Sequence, residues 1–163
     1  MRRGEKGILI LIAVIVGGTM LRNLWSVLDG GEKDKGIPFY SNLSEAEGRK
    51  ALRLIHDSRC KDCHSLWGAT ASMMQNVPAP RLDGIGSIRD EAWFYQYLSS
   101  PDPQSILPSR LKKEFRMPSF ASLPEADRKE LAAYLASLKV KNWYLAETRK
   151  SEYEKLTGKA YSP

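Results

Sequence analysis

Two cysteines and one histidine carry the most specific chemistry in this sequence. Cys60-Lys61-Asp62-Cys63-His64 sets two thiols three positions apart with an imidazole directly after the second. That is the C-x-x-C-H pattern of covalent haem c attachment. Two thiols separated by two residues reach the two vinyl groups along one edge of the macrocycle and form thioethers. The adjacent histidine then lies beneath the iron. The chain has no other cysteine, so no disulfide framework competes. A thioredoxin-like redox pair would sit near a βαβ pattern, which is absent. A zinc site needs a further pair of Cys or His ligands, and only His56 remains. One haem c, held through Cys60 and Cys63, is the expected cofactor.

Three short helices are available to position such a group. Ser44 followed by Glu47 forms a capping box, and Ala51, Leu52, Leu54 and Ile55 continue as a helix. Arg89 to Leu98 reads as a short helix carrying Trp93, Phe94 and Tyr97. Glu125 to Leu138 is the clearest: Leu131, Tyr134, Leu135 and Leu138 recur at i, i+3, i+4 and i+7, and Pro124 suits its first turn. The stretches 65–88 and 99–122 are rich in Pro and Gly and read as loops. No strand pattern and no internal repeat is visible. The expected fold class is all-α, three short helices and loops around one covalent haem. So little helix buries little apolar area against its conformational entropy, and a large flat cofactor would complete the core.

The ends of the chain have other tasks. Met1 to Lys6 is basic, Ile8 to Val16 has no polar residue, and weaker apolar sequence runs on to Leu28. At ~1.5 Å per residue, Gly7 to Leu28 is long enough as a helix to cross a hydrocarbon layer of ~30 Å. Arg22 lies near its far end, where its stem can snorkel, and Trp25 suits the interface. The basic flank places the N-terminus in the cytoplasm and the rest outside. A cleaved secretory signal competes, but only Gly17-Gly18-Thr19 approximates a cleavage site. The organisation expected is therefore an anchor over 1–28, a charged Gly-rich linker over 29–42, a haem domain over 43–139 and an extension over 140–163. The extension, with Trp143, Tyr144, Leu145, Tyr153 and Leu156 among charges, reads as a helical arm that folds back on the domain or docks on another subunit. The net charge is +6, half of it in the anchor, and no basic stripe interleaved with aromatics occurs. Nucleic-acid binding is excluded on that ground.

From Leu43 to Lys139 the chain resembles a class I c-type cytochrome. Pro80-Arg81-Leu82-Asp83-Gly84 matches the family's P-x-L-x-G segment, and Met117-Pro118 its distal methionine loop before the last helix. The resemblance implies that the Pro80 carbonyl accepts a hydrogen bond from His64, that Leu82 packs on the haem, and that His64 and Met117 ligate the iron. It also implies a crossing of the first and last helices at Ala51, Ile55 and Tyr134. Met73 and Met74 are rival thioethers read as loop packing, and His56 reads as a surface histidine. Arg81, Arg89 and Arg116 are candidate partners of a haem propionate, and Trp93 reads as core.

Histidine and thioether ligation raises the reduction potential and leaves no open site, which describes a one-electron carrier. The anchor, linker and single haem resemble the small cytochrome subunit of nitric oxide reductases, with Cys63-His64-Ser65-Leu66, Phe120 after Met117-Pro118, and an aromatic soon after the last helix. They are also similar to the cytochrome c attached to cytochrome bc-type quinol-oxidising complexes. The function expected is an electron-transfer subunit of a respiratory or photosynthetic membrane complex, with a membrane-protein redox partner and its haem domain on the extracytoplasmic face. A free membrane-tethered shuttle is one alternative. A haem enzyme or gas sensor with an open distal site is another, and a structural subunit with a vestigial haem a third.

Overall fold

In the computed structural model, residues 3–28, 35–67, 77 and 79–162 are described, and the chain divides into two units, Met1–Gly36 and Ile37–Pro163. The first unit is one helix, α1 (Arg3–Leu28). Its segment Lys6–Trp25 is long and apolar enough to cross a membrane. Its apolar side chains, Ile10 and Val14 among them, are exposed.

The second unit is mostly helical. Helix α2 (Glu45–Asp57) begins at the expected capping box: the Glu47 N–H donates to Ser44 Oγ at 3.4 Å, and the Ser44 N–H donates to the Glu47 carboxylate at 3.0 Å. Its buried face, Ala51 and Ile55, packs against α4 (Glu125–Ser137), whose apolar stripe of Leu131, Ala132, Tyr134 and Leu135 is buried. Ala51, Ile55 and Tyr134 are all within 2% of full burial, so the small side chain of Ala51 lets the two helices approach closely. Burial pushes the Tyr134 phenol above its ordinary range.

Helix α3 (Glu91–Ser99) also packs on α4. It begins two residues later than the sequence pattern suggests because the Asp90 carboxylate caps it, accepting the Trp93 N–H at 2.8 Å. The 3₁₀ turn Ile85–Ser87 lies under α4. A Cβ at Gly86 would run into the Ala136 carbonyl, so the backbones touch there and only glycine fits.

Two short strands were not expected. β1 (Phe39–Ser41) pairs antiparallel with β2 (Leu138–Val140), with Phe39 opposite Val140 and Ser41 opposite Leu138. Helix α4 therefore stops at Ser137, and Leu138 is already extended. Three residues per strand are too few to show the period-2 alternation by which strands are recognised. Of the stretch read as linker, residues 29–34 lie outside the described residues, and 39–41 are part of this ribbon. Helix α5 (Asn142–Thr157) follows and ends at Gly158, whose φ of +69° is the left-handed C-terminal cap.

Candidate haem site

The C-x-x-C-H segment is a tight continuation of α2. Arg59 adopts left-handed backbone (φ 56°), a conformation that costs a non-glycine residue about 1–2 kcal/mol. It turns the chain into a 3₁₀ turn over Cys60–Asp62. The His64 N–H donates to the Cys60 carbonyl at 3.0 Å, and an Arg59–Asp62 ion pair at 2.6 Å clamps the turn. Both cysteines are free thiols. Burial pushes the Cys60 thiol up to about 11 and raises Cys63 as well. A thioredoxin-type nucleophile requires the opposite shift. Among the described residues, no three His, Cys, Asp or Glu side chains gather as a metal cluster.

Three hydrogen bonds join this segment to the 80s loop. His64 Nδ1 lies 2.7 Å from the Pro80 carbonyl. A carbonyl oxygen can only accept, so Nδ1 carries the proton and the Nε2 lone pair is the ring's open ligand position. Burial holds the His64 imidazolium below its ordinary range, with the Pro80 carbonyl pulling the other way. The Leu82 N–H donates to the Ser65 carbonyl at 2.9 Å, and the Trp67 N–H donates to Asp83 Oδ1 at 2.5 Å. Leu82 and Asp83 are buried.

Met117 sits in the irregular stretch between α3 and α4, packed against the apolar core. Gln104 braces it. Gln104 Nε2 donates to the Met117 carbonyl at 3.3 Å, while its Oε1 accepts the Ser109 N–H at 3.1 Å.

These segments enclose one cavity of about 430 Å³, within the range of cofactor pockets, and its walls are mainly apolar. Cys60, Cys63, His64, Pro80, Leu82 and Met117 all line it. A haem fits this donor set: two reduced thiols, an imidazole with Nε2 open, a thioether and an apolar surround. Arg81, Arg89, Arg116 and Trp93 line it too. Trp93 stacks on Tyr97 with centroids 5.0 Å apart. His56 is on the surface beside Asp57, outside the cavity. Met73 and Met74 lie outside the described residues.

Sequence reasoning passed over Asp83, Gln104 and Glu152. Asp83 sits inside the recognised segment and is buried, a combination that flags a structural carboxylate. Gln104 and Glu152 carry no local signal, because their partners are five or more residues away.

The family model described as cytochrome c matches residues 45–139. No curated protein and no solved structure matches the chain.

Proposed function

The chain belongs to the cytochrome c family, and from that premise we propose that it is a membrane-anchored one-electron carrier with a single haem c, working as the electron-transfer subunit of a membrane complex. The observation that carries this reading is the convergence of Cys60, Cys63, His64, Pro80, Leu82 and Met117 on one apolar cavity. Cys60 and Cys63 would hold the haem through two thioethers. His64 would ligate through Nε2, while its Nδ1–H bond to Pro80 fixes the ring and raises its basicity. Met117 would supply the second ligand to iron from a loop held by Gln104. Bound haem supplies an iron that takes up and releases one electron, its potential raised by the thioether. The apolar wall excludes water from the ligands.

Helix α1 is the membrane anchor in this reading, with the haem domain on the extracytoplasmic side. Its support is the length and apolarity of Lys6–Trp25 and the basic residues before it. The extension does not have to be explained by a partner: α5 turns back on its own domain through the ribbon and the Arg89–Glu152 ion pair.

The test is Met117→Ala in the haem-loaded protein. The expected result is a lower midpoint potential and new binding of small ligands such as carbon monoxide. If neither changes, Met117 is not the ligand. Detergent extraction with a C-terminal tag tests the setting. Co-purification of a stoichiometric multi-span partner makes the chain a resident subunit, and recovery alone makes it a tethered shuttle.

A further inference from the structure

Helix α5 lies beyond the matched region, yet Glu152, Lys155 and Leu156 line the same cavity as Cys60 and His64. Their spacing, i, i+3 and i+4, sets them on one helix face. The helix is held in this position at three points along its length. In its first half, Thr148 packs on Gly84, where an added Cβ would come within 3.4 Å. In its middle, Glu152 pairs with Arg89, the two side chains only 12% and 16% exposed, and Arg89 also lies 4.4 Å from the Trp93 ring centroid. At its end, Gly158 packs under the Arg110 guanidinium, which a Cβ would approach to 3.0 Å. Arg110 thereby sits at the negative end of the helix dipole.

Charge on the cavity wall is one-sided. Arg59, Arg81, Arg89, Arg110, Arg116 and Lys155 line it against Asp62 and Glu152, a surplus of four cations. Arg59 is paired with Asp62, and Arg89 with Glu152. Arg116 donates through Nε to the Leu111 carbonyl at 2.7 Å, and Arg110 is packed on Gly158. Arg81 and Lys155 make no ion pair among the described residues, and of these two only Lys155 is on α5. An apolar cavity with surplus cations complements a flat apolar ligand that carries two carboxylates. The thiols of Cys60 and Cys63 take the vinyl edge, which leaves the carboxylate edge for cations on other segments.

We infer that α5 is a working part of the haem site: the Arg89–Glu152 pair latches it to the segment just before α3, Leu156 walls the cavity, and Lys155 binds a haem carboxylate. This rests on the haem reading above. Lys155 would bring positive charge to the haem site, which would favour the electron-richer ferrous state.

The experiment is a potentiometric titration of the full-length, haem-loaded protein in detergent, with covalent haem checked on a denaturing gel. Lys155→Met lowers the midpoint potential, and Lys155→Arg leaves it near the wild-type value. Lys150→Met, a like charge change on α5 outside the cavity lining, also leaves it near wild type. The inference is overturned if Lys155→Met, with haem attached, titrates like wild type, or if Lys150→Met moves the potential as far. Absence of covalent haem from the wild-type protein would bring down the haem reading, and this inference with it. A haem-bearing Lys155→Met protein with an unchanged potential would bring down this inference alone.

Discussion

Asp83→Ala tests how the segment that carries His64 is held. Three hydrogen bonds tie residues 64–67 to residues 80–83, and the one made by Asp83 is the only one of them that uses a carboxylate. Its Oδ1 accepts the Trp67 N–H at 2.5 Å from a residue only 4% exposed. A hydrogen bond to a charged acceptor contributes about 1.5–3 kcal/mol. Removing a buried charge returns some desolvation free energy, so the net loss for Asp83→Ala is about 2 kcal/mol. Asp83→Asn keeps an acceptor of the same shape without charge assistance, which halves the effect to about 1 kcal/mol. With a urea slope of about 2 kcal/mol per molar, the midpoints fall by about 1 M and about 0.5 M. The assay is urea unfolding of the full-length, haem-loaded protein in mild detergent, followed by Trp fluorescence. The expected order is wild type above Asp83→Asn above Asp83→Ala. An Asp83→Ala midpoint indistinguishable from wild type, or an Asn variant as weak as the Ala variant, would refute the reasoning.

Two further perturbations follow from the packing. Gly86→Ala drives a Cβ into the Ala136 carbonyl and to 2.7 Å from the Leu135 oxygen. Backbone cannot swing aside as a side chain can, so the loss is about 3 kcal/mol, read as a lower urea midpoint with an unchanged slope. Glu152→Gln strands the Arg89 guanidinium in a largely buried site. The Trp93 face compensates in part, so a loss of about 2–3 kcal/mol is expected. The double variant Arg89→Met/Glu152→Met should lose about 1–2 kcal/mol less than the two single changes to Met added together; strict additivity in a double-mutant cycle would show that the pair does not couple α5 to the segment before α3.

The sequence was legible where a signal is local. The attachment motif occupies five consecutive residues, the capping box four, and the stripe on α4 recurs over two turns, so each could be read without knowing what it packs against. The bond from His64 to Pro80 spans sixteen positions, and only the family resemblance suggested it. The β1–β2 ribbon was illegible because Phe39–Ser41 acquires its partner about a hundred residues later, through the turn that ends α4. The arm folds back through contacts with distant residues, the Arg89–Glu152 ion pair among them, and neither residue is distinctive in its own neighbourhood.

The loop that carries Met117 shows why irregular backbone resists such reading and is nevertheless specific. From Ser100 to Leu123 the chain has no α-helix, yet its turns are cross-braced by side chains bonded to backbone. The Asp102 carboxylate accepts the Gln104 N–H at 3.1 Å, and Ser119 Oγ donates to the Ser100 carbonyl at 2.7 Å. Arg128 reaches from α4 to the carbonyls of Ala121 and Leu123 at 2.7 and 2.5 Å. Each such bond contributes only about 1 kcal/mol net, and each pairs one polar side chain with one carbonyl or amide at no recurring spacing, which leaves no periodic trace. Collectively they define a path that ends with Met117 on the cavity wall. Gln104, bonded to both Ser109 and Met117, joins the two halves of that path. His64 is therefore placed by a short motif and Met117 by a distributed network, so single substitutions should disturb the Cys60–His64 side far more than the Met117 side.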